Sequence, residues 1–510
     1  MAGLTYTPVD EIPQIREHLR ASFRTGRAAS IDYRKKQLLQ LAYLFQDNIE
    51  RFQEALQEDL GRPKLESNLF DLSVIINECV YAYKNIDSWT KPDKVAFNMN
   101  WFAFSPKVLK EPKGTVLIIS PFNFPLYCLA PLSGAIAAGC AALLKPSELN
   151  PATSQLLADL FPKYMDNDMY KVVNGAVEET TKLLELQWDH ILYTGSGRIG
   201  RIVATAAAKH LTPVTLELGG KCPAIVDENA DFEIAARRLL WGKMTNAGQT
   251  CAAPDYIIIP QHVQHKFVAA IKKTWSKFYG SDPHTSNSFS RICTHNHWDR
   301  ITGLLKDTQG DVILGGQTSR ADKYIAPTVV QNVSFNDPLM KEEIFGPILP
   351  IVPVHDVAAA LDYINSHDHP LALYIFSKNA KLRDYVRRHT LSGSFLENDV
   401  LMNGGVSAVP FGGVGASGYG SHKGKYSFDM FTHSRAALRS PGWIDLLMGA
   451  RFPPYTDETL KKLNATILPP IPYARPGAKE PLHWGRWVLL SLSLAVLAAN
   501  HQRVLKALKA

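Results

Sequence analysis

The chain has 510 residues, 46% hydrophobic and 20% charged, with a formal net charge of +7. That composition supports a large buried core split over more than one domain, and it excludes a disordered or fibrous protein. Lysines and arginines are spread along the chain with no basic block interleaved with aromatics, so nucleic acid is not an expected partner.

Residues 10 to about 90 read as helices, with Leu38, Leu41, Ala42, Phe45 and Ile49 at helical spacing and Ser30 placed as an N-cap. The first thirty residues carry Asp10, Glu11 and Glu17 and no apolar segment. They read as neither a secretory signal nor an acid-free transit peptide, and the cytosolic side is expected. The six cysteines, at 79, 128, 140, 222, 251 and 293, form no CxxC pair and no close Cys/His cluster. A reducing compartment is expected, with neither a disulfide framework nor a metal site.

From Gly114 short apolar runs alternate with helical stretches: GTVLIIS, CAALLKP, KVVNG, HILYTG and PVTLEL are the strand candidates. Strands alternating with helices predict an α/β fold with a parallel, doubly wound sheet. A second series follows, with strands in DYIIIP, ILPIVPV and LALYIFS and an amphipathic helix in HKFVAAIKKTWSKF, predicting a second α/β lobe. Glycines crowd PFGGVGASGYGSHKGKYSF, 410 to 428, where close approach to a ligand or another backbone is expected. NATILPPIPYARPGAKEP, 464 to 481, has five prolines and reads as a stiff, extended linker, with the globular part ending near 460.

Gly195, Gly197 and Gly200 stand in a G-x-G-x-x-G spacing between a predicted strand and a predicted helix. This is the dinucleotide fingerprint, although such glycines also make ordinary tight turns. The fingerprint expects an acid after the next strand to hold a ribose, and Glu217 in PVTLELGGK sits at that distance. A competitor stands in CAALLKPSE, where Lys145 and Glu148 close a buried-looking strand at the carboxyl edge of the sheet. If Glu148 holds the ribose, Glu217 is free for chemistry; a surface Lys-Glu pair is the plain alternative.

An isolated cysteine is more often a small buried hydrophobe than a nucleophile. Cys251, however, lies in NAGQTCAAPDY, too polar and flexible for a core strand, and reads as a presented loop. Asn123, between aromatics and prolines in ISPFNFPLY, offers a rigid amide for an oxyanion. Glu217 precedes the Gly219-Gly220 pair, where a ligand can come close. Thiol, amide and carboxylate base together suit covalent chemistry on a carbonyl. A thiol of ordinary pKa, about 8.5, is mostly neutral at pH 7, so the site must lower that value or supply a base.

FNFP, KPSE, TGSGRIG, LELGGK, GQTC, EEIFGP and PFGGVGASG, in this order, resemble the aldehyde dehydrogenase superfamily from about residue 10 to 440. The N-terminal part and the final glycine-rich run resemble its class 3 branch, and within it the membrane-bound fatty aldehyde dehydrogenases and their fungal relatives. The resemblance implies an NAD-binding domain of Rossmann type over 1–218, with part of an oligomerisation arm near 92–112. It further implies a catalytic domain over 219–407, a glycine-rich return and oligomerisation segment over 408–445, and a homodimer. It implies that Cys251 attacks an aldehyde, that Asn123 and the Cys251 backbone N–H hold the oxyanion, and that hydride leaves for the nicotinamide. Glu217 then activates the water that hydrolyses the thioester. Lys145 and Glu148 are assigned to the adenosine ribose, Gly195, Ser196 and Gly200 to the pyrophosphate turn, and Glu343 and Phe345 to the nicotinamide end. A carboxylate at 148 favours the free ribose hydroxyl of NAD, with dual use of NADP open. Two departures stand out: Phe122 where many members have tryptophan, and LMNGGVSAV, 401–409, glycine-rich for a loop expected to line an apolar substrate tunnel.

Beyond Pro481 there is no acidic residue, while Arg486, Arg503, Lys506 and Lys509 remain. From Trp487 to Ala499 the segment is apolar apart from two serines, a reach of about 20 Å against the ~30 Å of a bilayer core. Residues 482–510 are therefore expected to attach to a membrane as a C-terminal helix, with Trp484 and Trp487 at its boundary. A helix folded back on the enzyme or into a dimer interface is the alternative. The expected substrate is a lipophilic aldehyde (fatty, prenyl or apocarotenoid). The catalytic part is expected to face the cytosol at the endoplasmic reticulum, outer mitochondrial membrane or lipid droplet. The rival functions are a cysteine acyltransferase or thioesterase, and a tethered scaffold without turnover.

Overall fold

The computed structural model describes residues 3–468, 471, 475–477 and 491–492. The chain divides into two compact units, Met1–Asp93 with Val108–Ala436, and Lys94–Lys107 with Ala437–Ala510.

The larger unit opens with helices Ile12–Arg24, Ile31–Gln46, Ile49–Leu60 and Ser73–Trp89. Ser30 caps the second as expected, its side chain accepting from the Tyr33 N–H. Gly61, in the left-handed region at φ 60°, ends the third. Before the fourth the chain makes a five-residue π turn, Asn68–Leu72, which no spacing in the sequence announces.

Two sheets follow. The first takes β1 (Thr115–Ile119), β2 (Ala141–Lys145), β3 (Tyr170–Val172), β4 (His190–Thr194) and β5 (Val214–Glu217). The second takes β6 (Pro223–Val226), β7 (Tyr256–Pro260), β8 (Asp311–Leu314), β9 (Thr328–Gln331), β10 (Ile348–Val354), β11 (Ala372–Phe376) and β12 (Ser394–Glu397). A late strand, β13 (Gly418–Tyr419), returns to the first sheet, whose order is β13-β5-β4-β1-β2-β3. All its pairings are parallel except that of β13 with β5. The second sheet runs β8-β9-β10-β7-β6-β11-β12, antiparallel only between β8 and β9. Each sheet packs in its own core, and the changeover falls between Leu218 and Cys222. The expected strands are all present, because runs buried on both faces, as β1, β2 and β7 are, read as continuous apolar sequence.

The glycine-dense segment meets backbone, as expected. A Cβ on Gly418 would overlap the Leu216 carbonyl, so only glycine lets β13 lie against the strand that ends in Glu217. Residues 93–94, 107–112 and 432–437 form a small three-stranded sheet. The stretch expected as a linker, 464–481, opens in a helix: Asp457–Ile467 is capped by the Thr456 side chain, so Asn464 to Ile467 belong to it. Of the expected tail, 482–510, all but residues 491–492 lie outside the described residues. Among the described residues no helix is long and apolar enough to cross a membrane.

Candidate active site

In the first sheet β1 lies between β4 and β2, so the chain leaves its neighbouring carboxyl ends in opposite directions and a crevice opens there. A cavity of about 740 Å³ occupies this place. It is lined by Asn123 after β1, by Lys145 and Glu148 after β2, and by Gly195 and Ser196 after β4. Glu217, Cys251, Glu343 and Phe345 also line it. Nine of the ten residues expected from the sequence therefore share one cavity. Gly200 does not line it. It lies inside helix Gly197–Ala208, where a Cβ would come 3.0 Å from Leu218, so its lack of a side chain serves helix-to-sheet packing. Nor does the 401–409 segment line it; Phe411, just beyond, does.

Cys251 follows helix Phe232–Met244 and three consecutive left-handed residues, Asn246, Ala247 and Gly248. Two of these are not glycine, a conformation that persists only when the surroundings over-determine it. They do. The Asn246 side chain donates to the Asn123 carbonyl and the Gln249 carbonyl, both at 3.0 Å, and its backbone N–H donates to Glu66 at 2.9 Å. Gln249 donates to the Asn246 and Arg291 carbonyls and accepts from the Cys293 N–H. Residues 242–250 are buried, with the Asn246 and Gln249 side chains as internal hydrogen-bond partners, while Cys251 itself is partly exposed and lines the cavity.

The Asn123 amide donates one N–H to the Gln249 carbonyl at 3.1 Å, which fixes the group. The Asn123 backbone carbonyl accepts from Arg62, a fully buried guanidinium that also pairs with Asp71 and donates to the Asn246 side chain at 3.2 Å. Asp71 in turn accepts the N–H groups of Leu126 (3.0 Å) and Tyr127 (2.6 Å). Sequence reasoning missed Arg62 and Asp71; a charge pair inside a helical region looks like surface until the π turn is seen.

Glu217 ends β5, fully buried, and neither carboxylate oxygen has a partner in the protein. Burial holds its pKa well above the usual carboxylate range. The Cys251 thiol is pushed up to about 12, first by burial and then by the charges of Glu343 and Glu217. Burial thus works against one of the two routes open from the sequence, a lowered thiol pKa. Glu343 is raised to about 8, chiefly by burial and by Asp255, against a Gly220 backbone hydrogen bond and two lysines. Its carboxylate sits where a Cβ on Gly219 would be.

The segment carrying Glu343 and Phe345 is held from behind. Lys221 and Lys243 both pair with buried Asp255, at 2.7 and 2.9 Å, and Lys221 also donates to the Leu339 and Glu342 carbonyls. Arg300 donates to the Ile344 carbonyl at 2.6 Å. Phe345 stands edge-on to Phe122 at 5.9 Å, so the aromatic wall survives the departure at 122. Lys145 is buried and bonds Glu148 at 2.9 Å, with Glu148 partly open to the cavity. Among the described residues no His/Cys/Asp/Glu cluster could hold a metal.

The family model described as "Aldehyde dehydrogenase family" matches residues 3–437. The chain is an aldehyde dehydrogenase. It is 45% identical over 456 residues to aldehyde dehydrogenase family 3 member B1 of Rattus norvegicus, covering 89% of this chain and 96% of that one. It is 44% identical over 442 residues to family 3 member A2 of the same organism, covering 86% and 91%. Among solved structures it is similar to the substrate-bound AldH of Staphylococcus aureus, with TM-score 0.85 and 39% identity over 89% of this chain and 99% of that one. As a member of this family the dehydrogenase uses NAD(P), and the residues present suit such a cofactor. The Gly195-Ser196 turn opens a helix N-terminus on the cavity, where backbone N–H groups attract phosphate. Ser196 caps that helix through the Ile199 N–H.

Proposed function

We propose that this aldehyde dehydrogenase oxidises lipophilic aldehydes to carboxylic acids with NAD, working at a membrane reached through residues 482–510, as a homodimer facing the cytosol. The observation that carries the chemistry is the convergence on one cavity of Cys251, the fixed amide of Asn123 and the unpartnered carboxylate of Glu217. Glu217 takes the thiol proton, and Cys251 sulfur bonds to the aldehyde carbon as a thiohemiacetal. The second amide N–H of Asn123 and the Cys251 backbone N–H face the oxyanion. A bound nicotinamide supplies the hydride acceptor. Glu217, having passed the thiol proton to solvent, takes a proton from the water that attacks the thioester and returns it to the departing Cys251 sulfur, so that the carboxylic acid leaves and the thiol is regenerated.

Lys145 and Glu148 would hold the adenosine ribose, Gly195 and Ser196 the pyrophosphate, and Glu343 and Phe345 the nicotinamide end. Exposed Val177 and Ile202, apolar and on the cavity lining, suit a flat base. The aromatic walls, Phe122, Phe124, Tyr127 and Phe411, support an apolar substrate, as does the acid-free apolar tail.

The test is a series of saturated aldehydes of rising length with NAD. kcat/KM should climb, by up to about fourfold per methylene, until the cavity is filled. A flat profile would refute the lipophilic reading. NADH formation should vanish in Cys251→Ser, and acid released without NADH would favour the acyltransferase or thioesterase alternative.

A further inference from the structure

Beside Phe124 and Phe411, Tyr127 lines the cavity with a hydroxyl that is buried and has no partner in the protein. Tyr193, the other tyrosine on the lining, donates to the Ser196 carbonyl at 3.4 Å. Leaving a buried hydroxyl unpaired costs stability, and phenylalanine would keep the same ring at position 127 without that cost. The ring is also held in place. Its backbone N–H donates to Asp71 at 2.6 Å, Phe411 and His422 stand edge-on to it at 6.0 Å, and the Lys423 ammonium lies 5.3 Å from its centre.

Space is kept open near this hydroxyl. A Cβ on Gly404 would come no closer to anything than 3.9 Å from the Tyr127 hydroxyl, an ordinary contact, and a Cβ on Gly405 would meet nothing. Neither glycine adopts a left-handed φ, so neither backbone nor packing requires glycine there. Their shared effect is the room they leave, in the 401–409 loop whose glycines stand out in the sequence. Asn403, beside Gly404, also leaves its buried side-chain oxygen without a partner. The polar groups on this wall carry no charge. Burial holds the Tyr127 phenol well above its ordinary pKa, so it stays a donor. Burial, then the charge of Lys423, pushes the His422 imidazole, also on the lining, down to about 3. Lys423 itself donates to the Gly404 carbonyl. Such a wall suits an uncharged oxygen.

We propose that the Tyr127 hydroxyl, with His422 beside it, is a specificity group that donates to an uncharged oxygen on the substrate other than the aldehyde's own. The preferred aldehydes are then lipophilic chains that carry a ketone, ether or hydroxyl oxygen at a set place. The proposal rests on the reading of the cavity as a site for lipophilic aldehydes, and it narrows that class. A plain hydrocarbon chain seals the hydroxyl off from water without offering it a partner, whereas an acceptor within reach makes the bond. A site built around a hydrogen bond discriminates strongly against the analogue that lacks it.

The experiment gives the full chain, with NAD, straight-chain aldehydes of one length, plain or with a single ketone oxygen moved along the chain position by position. In the parent, kcat/KM for the ketone should exceed that for the plain aldehyde by about tenfold at one position, and Tyr127→Phe should bring that ratio down to about one. Gly404→Leu, which fills the space near the hydroxyl, should reduce the ratio as well. A parent that prefers the plain chain at every position, or a ratio that either variant leaves unchanged, would overturn the proposal. A Tyr127→Phe enzyme that loses activity on both members of the pair alike would assign the hydroxyl to a water or to the reacting atoms, and overturn it too. The lipophilic reading is judged apart: a rise of kcat/KM with the length of the plain chain keeps it in either case, and a flat profile refutes it while the ketone ratio still decides this proposal.

Discussion

Arg62 and Asp71 form an ion pair with no solvent exposure on either side chain, and through it the guanidinium reaches both the Asn123 carbonyl and the Asn246 side chain. One cation thus ties the amide strand to the thiol loop. Arg62→Lys keeps the charge but loses the planar fork. kcat should fall by about ten- to a hundredfold with KM little changed, because the reacting groups lose alignment more than binding. Asp71→Asn leaves a buried cation without its partner and should lower stability by about 3–5 kcal/mol in denaturant titration. An Arg62→Lys enzyme with parental kcat would show that the pair serves folding alone.

Glu217 is neutral until the pH passes its raised pKa, and only the ionised form can take a proton. Thioester hydrolysis should therefore go on increasing with pH far beyond about 4.3, the midpoint of an ordinary glutamate's titration. In Glu217→Gln a rapid burst of NADH should precede a slow steady state, and the pH-dependent limb should disappear. Parental turnover in that variant would remove Glu217 from the role of base.

The thiol at 251, held up to about 12, should react with iodoacetamide at pH 7 far more slowly than a free cysteine. Glu343 is the largest of the charges that hold it up. Above about pH 8, where Glu343 is ionised, Glu343→Gln should accelerate alkylation of Cys251, measured by mass spectrometry of the peptide; an unchanged rate there would show that the two groups do not interact in solution.

Gly248 adopts φ 76°, and a Cβ there would overlap the Gly346 carbonyl oxygen. Gly26 has a similar φ, 73°, in the left-handed region with open space around it. Gly26→Ala should cost about 1 kcal/mol, the backbone term alone. Gly248→Ala should cost more than about 3 kcal/mol and most of the activity, since the clash displaces the segment that carries Phe345. Equal thermal shifts in the two variants would contradict the packing argument.

Glu148 lines the cavity with one carboxylate oxygen on Lys145. Removing its charge in Glu148→Gln should raise kcat/KM for NADP relative to NAD by about tenfold, because a phosphate no longer meets a like charge. A ratio unmoved by the substitution would place ribose selection elsewhere.

The sequence by itself determined the two sheets and the chemistry-bearing residues at the cavity. Strands buried on both faces must be apolar throughout, and chemistry on a carbonyl needs a thiol, an amide and a carboxylate that few other positions could supply. These are properties of residue type and order, which a linear reading can see. Only the tertiary structure decided how those groups are held. The π turn that buries Asp71, the left-handed run before Cys251 and the helix-packing place of Gly200 all depend on contacts between remote parts of the chain. Burial in a folded interior, not residue type, is also what lifts Glu217 and Cys251 away from their ordinary pKa values.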